Sequence, residues 1–195
     1  MERDMSNSFI RHSFYALLFA TLLLPVTGVL AQGNSHTNTA AQDDPVISVV
    51  EIGVVAASNY DVTITLLETL RGAQALDKLT AVNPAIAPPR TGYEYLLARV
   101  RFELRGRAVS DKGVFDLGGS PFQWVANSAD LRAYDGITLP PPEPALQGPI
   151  KAGETREGWL AFAVEQSESQ PILIFDPASG GATGRGNILF FKLYK

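Results

Sequence analysis

Between Tyr93 and Leu104 (YEYLLARVRFEL) the chain alternates. Leu96, Ala98, Val100, Phe102 and Leu104 share one face, while Leu97, Arg99, Arg101 and Glu103 share the other. A period of two is that of a half-buried strand. The pattern returns in Val62, Ile64 and Leu66, and again in Leu160, Phe162 and Val164 of the run IKAGETREGWLAFAV (150–164). The segment 46–55 (VISVVEIGVV) is rich in β-branched residues and predicts another strand, bulged near Gly53. Shorter strands are expected at 121–127 with Phe122 and Trp124 on one face, at 172–175 and at 188–194, while 110–119 is turn-rich with a short apolar step from Val114 to Leu117. With turn residues roughly every 8–12 positions, this argues for an all-β, two-sheet antiparallel sandwich of seven to nine strands.

Breaks in the alternation place the irregular features. Glu68 interrupts the phase of the second strand and predicts a bulge around Leu66–Glu68. Ser58-Asn59-Tyr60-Asp61 is turn chemistry, so the first two strands should form a hairpin. The connection from Gly72 to Gly92 is long. Residues 73–82 (AQALDKLTAV) fit a short helix with Ala75, Leu76 and Leu79 inward, ended by Asn83-Pro84. Such a connection is either functional or a crossover between sheets. The proline-rich stretch 139–148 (LPPPEPALQG) reads as an extended surface connection, passive or read by a partner's groove. The glycine-rich loop 179–186 has no Gly-Lys-Ser/Thr and precedes a strand rather than a helix, so it reads as a hairpin loop and not a phosphate cradle.

Composition narrows the chemistry. The 195-residue chain has room for one domain and a tail. Its net charge of −4 gives no electrostatic footprint for nucleic acid. It has no cysteine, which excludes disulfides, thiolate catalysis and iron–sulfur sites. Arg3, Arg11 and His12 precede the apolar run 14–24 (FYALLFATLLL), then Pro25, Gly28 and a small residue at Ala31. Residues 1–31 therefore read as a signal peptide cut near Ala31, the alternative being a retained membrane anchor. Residues 32–44 (QGNSHTNTAAQDD) are expected to form a flexible leader, and 45–195 the folded domain. No Asn-x-Ser/Thr acceptor occurs, which favours bacterial export.

Few residues invite a chemical role. Cleavage would leave His36 as the one histidine, in the leader, so serine–histidine catalysis and histidine-type zinc hydrolysis lack their parts. Asp111, Asp116, Asp130 and Asp135 suggest calcium, but their loops lack the alternating spacing that gathers oxygens on one ion, so turn capping is favoured. The run of Arg99, Arg101, Arg105 and Arg107 is either a nucleic-acid or anion-binding stripe or a solvated face with cross-strand ion pairs; Glu103 interrupts it and the protein is acidic, which favours the ion pairs. Glu154 and Glu157 are the pair a carboxylate-dependent glycan-acting enzyme would use, but they flank a strand entry and read as surface charges, as Gly153 and Gly158 read as turn glycines. Trp124 and Trp159 are expected in the core. No catalytic, cofactor-binding or metal-ligating residue is assigned, and no cofactor is expected.

Two groups of residues carry a resemblance. One is Asn83-Pro84, Gly92-Tyr93-Glu94-Tyr95-Leu96, Phe122-Gln123-Trp124 and Asp135-Gly136. The other is Gly153-Glu154-Thr155, Gly158-Trp159-Leu160-Ala161-Phe162-Ala163-Val164 and Pro171 to Phe175. In these the chain resembles a bacterial secreted and lipoprotein domain-of-unknown-function family with an immunoglobulin-like sandwich, related to the mycobacterial immunoprotective extracellular protein. The likeness spans about Val46 to Lys195, but the lipobox cysteine is missing and the 139–149 loop is long. It implies an exported, non-catalytic binding or interaction module, whose candidate surfaces are the connections 72–92 and 139–148 and whose partner is an extracellular protein or cell-envelope glycan. A structural or assembly role in the envelope, through edge strands, is the alternative reading. A membrane role is expected only through residues 1–31.

Overall fold

The computed structural model describes residues 33–52, 58–107, 113–118, 120–134, 139–179 and 186–195. In chain order these give β1 (Pro45–Ile52), β2 (Ser58–Arg71), α1 (Ala73–Val82), β3 (Tyr93–Gly106), β4 (Val114–Leu117), β5 (Trp124–Asn127), β6 (Gly148–Lys151), β7 (Thr155–Glu165), β8 (Ile172–Phe175) and β9 (Leu189–Lys192). The expected signal peptide, the bulge near Gly53 and the aspartates Asp111 and Asp135 lie outside the described residues, as does most of the glycine-rich loop.

The strands form an antiparallel β-sandwich. A four-stranded sheet runs β1-β2-β3-β7, a three-stranded sheet runs β5-β8-β9, and β4 pairs with β6. The alternating residues of β2 and β3 meet across the ladder: Val62 opposite Leu104, Ile64 opposite Phe102, Leu66 opposite Val100. All six are fully buried and face Trp124, Phe175 and Phe191 of the other sheet. Phe102 is the hinge of this core, with Phe115 stacked at 5.6 Å and Phe175 edge-on at 5.8 Å. Each large apolar side chain so enclosed contributes about 1.5–3 kcal/mol relative to exposure. Without disulfides, packing of this kind is what holds the domain together.

The predicted bulge is present: the β2–β3 register shifts between Leu66 and Glu68. β1 and β2 form the expected hairpin partners. The long 72–92 connection, however, joins β2 to its own neighbour β3 in one sheet, so it is not a crossover between sheets. It folds back because Leu70, Tyr95 and Leu97 leave an apolar patch on the sheet's outer side for α1 to cover. Phe122 also departs from expectation. The strand begins only at Trp124, because the buried Gln123 side chain binds the β4 end, accepting from Gly118 N–H at 2.6 Å and donating to Asp116 C=O at 2.9 Å. Phe122 is left in a turn, 69% exposed.

The polar leader is not loose where the structure describes it. Ala40 forms a parallel bridge to Phe191, with Ala40 N–H donating to Phe190 C=O at 2.9 Å and Lys192 N–H donating to Ala40 C=O at 2.8 Å. The Asn34 carboxamide brackets Phe190, accepting from its N–H and donating to its C=O. Composition hides this because the hydrogen bonds are made by backbone and one amide, with no apolar period. The segment covers the outer edge of β9, where unpaired peptide groups would otherwise face solvent. His36 within it is exposed, its ring 6.3 Å from Phe190.

Gly153 has φ +88 and turns the chain between β6 and β7, as expected. Gly158 is different. It sits inside β7 opposite Val100, and a Cβ there would lie 2.5 Å from Leu146 N. Its role is close approach of backbones, not a turn. Gly158→Ala should cost about 1–3 kcal/mol through forced displacement of the 144–146 backbone, read as a lowered urea midpoint. An unchanged midpoint would show that this approach is not tight.

Candidate functional site

The outer face of the four-stranded sheet is divided in two. One half is apolar and roofed, the other charged and open. The roof begins with α1, whose ten residues place Ala75 and Leu79 on one side, buried against Tyr95 and Leu97 of β3 and Trp159 and Ala163 of β7. Leu76, the third residue expected to face inward, is partly buried beside them. The helix stops at Asn83, which takes an extended conformation before Pro84. Beyond it Tyr95 Oη donates to Ala87 C=O at 2.8 Å, holding the returning chain down.

The proline-rich connection supplies the rest of the roof. It is more than a passive surface strap: Trp159 N–H donates to Pro144 C=O at 2.8 Å, and Leu146 N–H donates to Trp159 C=O at 3.0 Å. Arg156 adds donations to the carbonyls of Gln147 and Pro149 at 2.7 and 2.8 Å. Leu146 is thereby buried in the core, and Leu139 packs against the cluster under α1. The two connections named from sequence, 72–92 and 139–148, thus meet on one face. Leu79, Val82 and Ile86 on one side and Pro140–Pro142 on the other enclose an apolar groove of about 110 Å³. Val82 remains 57% exposed at its rim.

The tryptophans do not offer a sugar platform. Trp124 and Trp159 are 6% and 4% exposed, as expected. Lys78 Nζ lies 4.5 Å from the Trp159 ring centroid and closes the indole from solvent.

The open half of the face carries the arginine run, and it is paired. Arg101 Nη2 and Arg99 Nη2 meet Glu157 at 2.7 and 3.3 Å, Arg105 meets Glu103 at 3.2 Å, and Arg107 meets Asp61 at 2.6 Å. Hydrogen bonding from Arg101 holds the Glu157 carboxyl below the usual range, against a smaller opposing effect of burial. At the far end of β7, Arg132 grips Glu165 with two bonds of 2.6 and 2.8 Å and lowers its pKa too. The two carboxylates considered for glycan chemistry are both engaged: Glu157 by the arginines, Glu154 as acceptor from Lys151 N–H at 2.9 Å. Asp130 accepts from the Ser128 hydroxyl within a turn, the capping role expected of it. Among the described residues no three histidine, aspartate or glutamate side chains cluster to hold a metal ion.

The two connections are legible in the sequence, but the residues that line the groove are not. Val82 and Ile86 flank Asn83-Pro84, and apolar residues astride a helix stop are the signal that could have marked them.

The ion pairs set a pH dependence. A carboxyl whose pKa is depressed in the fold contributes stability above its unfolded pKa, and loses it as pH falls through the folded value. Glu157→Gln should therefore destabilise by about 0.5 kcal/mol near neutral pH, with the gap from wild type closing as the solution is acidified. Urea titrations across that range check it, and a gap independent of pH would contradict it. No protein-family model matches the chain, and comparisons with curated proteins and with solved structures find no significant similarity.

Proposed function

We propose that the protein is an exported, non-catalytic binding module that engages a partner protein through the groove between α1 and the proline-rich connection. The observation that carries this reading is the convergence of the two longest described connections on one sheet face, around an apolar groove with an exposed rim. Loops held on a rigid scaffold are where recognition residues concentrate. The groove admits one aliphatic or proline side chain, the kind of anchor around which a protein interface is organised. Export rests on residues 1–31, and the family resemblance points the same way. The engagement of Glu154 and Glu157 in backbone and arginine contacts supports a non-catalytic role.

Val82→Asp places a charge on the groove rim at a half-exposed position and should leave the fold intact. Cross-linking the wild-type protein in an extracytoplasmic fraction should capture a partner that the variant loses, with affinity reduced about tenfold or more. A partner bound equally by both proteins, or captured from the cytosol alone, would overturn the proposal.

A further inference from the structure

A second cleft of about 370 Å³, lined by both polar and apolar groups, opens at the other end of α1. Three distant stretches of chain build it: Gln42, then Thr69, Arg71 and Gln74, then Lys192 to Lys195, which adds Leu193 and Tyr194 to the two lysines. Side-chain carboxylates outnumber cations 20 to 16 in the chain, yet none lines this cleft, where the one carboxylate is the α-carboxylate of Lys195. Lys192 and Lys195 make no ion pair among the described residues.

The β2 bulge creates the site. Before it, Leu66 faces the core opposite Val100; after it, Thr69 pairs with Ala98 and Arg71 with Leu96, both core-facing residues of β3. The extra residue thus turns Thr69 and Arg71 to the inner side at the end of the sandwich, beside β9. An unbulged strand would send both to the outer face. Arg71 is then locked. Its Nε donates to Glu94 Oε1, and its Nη2 donates to the carbonyls of Glu165 and Glu168 at 3.2 and 2.6 Å. That leaves the two N–H groups of Nη1 to donate from a fixed position. Glu94 offsets the charge of Arg71 and the Lys195 α-carboxylate offsets one lysine, so a single net positive charge is left in the cleft.

We propose that this cleft binds an oxyanion, carboxylate or phosphate, carried on a small hydroxyl-bearing body such as an acidic sugar. Lys192 and Lys195 supply charge, Arg71 Nη1 supplies directed donors, and Gln42, Gln74 and Thr69 supply the mixed donors and acceptors that hydroxyls require. The cleft is open to solvent, so the ionic part of the affinity is screened by salt.

Calorimetric titration of the purified protein with glucuronate, glucose 6-phosphate, inorganic phosphate and glucose tests this. The acidic sugars should bind in the millimolar range or tighter, and glucose should not. Glucuronate alone binding assigns a carboxylate, glucose 6-phosphate alone a phosphate, and either supports the site. The Lys192→Gln/Lys195→Gln double variant should keep its melting temperature and lose affinity by about tenfold. No response to any acidic probe, or equal affinity in the double variant, would overturn the proposal. Val82→Asp should leave this binding unchanged, so failure here and failure of the groove are distinguishable results.

Discussion

Trp159 joins the parts of this molecule that composition keeps separate. Its N–H and C=O bind Pro144 and Leu146, fixing the proline-rich connection along β7. Its indole lies on the outer face, where α1 packs on it and Lys78 covers it. One residue therefore anchors one connection by its main chain and the other by its side chain. Gly158 makes the first anchorage feasible, because any side chain there would meet the backbone of Ala145 and Leu146. The groove exists because both roofs are held to the same point.

The fold solves a related problem at its edges. A sandwich with open outer strands presents unpaired peptide groups that invite association. Here flanking segments close three of the four outer edges of the two larger sheets, β1 being the exception. Pro144 to Leu146 pair along β7, Ala133 bridges Asn127 of β5, and Ala40 with the Asn34 carboxamide covers β9. Segments that look like connections or leader are thus part of the sheet architecture.

Much of the fold was legible because it rests on local period and phase. The alternation of Tyr93 to Leu104 gave a strand, Glu68 marked the bulge, and Ala75 and Leu79 marked the inner side of the helix. The arginine run read correctly as paired charge because Glu103 interrupts it and Glu157 lies across the ladder. What failed was non-local. Gly158 beside charged residues looks like a turn, and only the approach of residues 145–146 explains it. Phe122 alternates with Trp124 in sequence, yet Gln123 holds it in a turn by contacts to β4. The leader's attachment uses backbone groups, which carry no residue signature. The basic cleft was hidden for the same reason: its residues are spread from Gln42 to Lys195 and meet only after the bulge reverses the phase of β2.

Amide hydrogen exchange at Leu146 and Trp159 reads the anchorage of the proline-rich connection on β7. If the proline-rich connection is fixed to β7 through Trp159, both N–H groups should exchange only through the opening that unfolds the core, as slowly as the amides of β3. Exchange of Leu146 at the rate of an exposed loop, with β3 still protected, would contradict it and remove one wall of the groove.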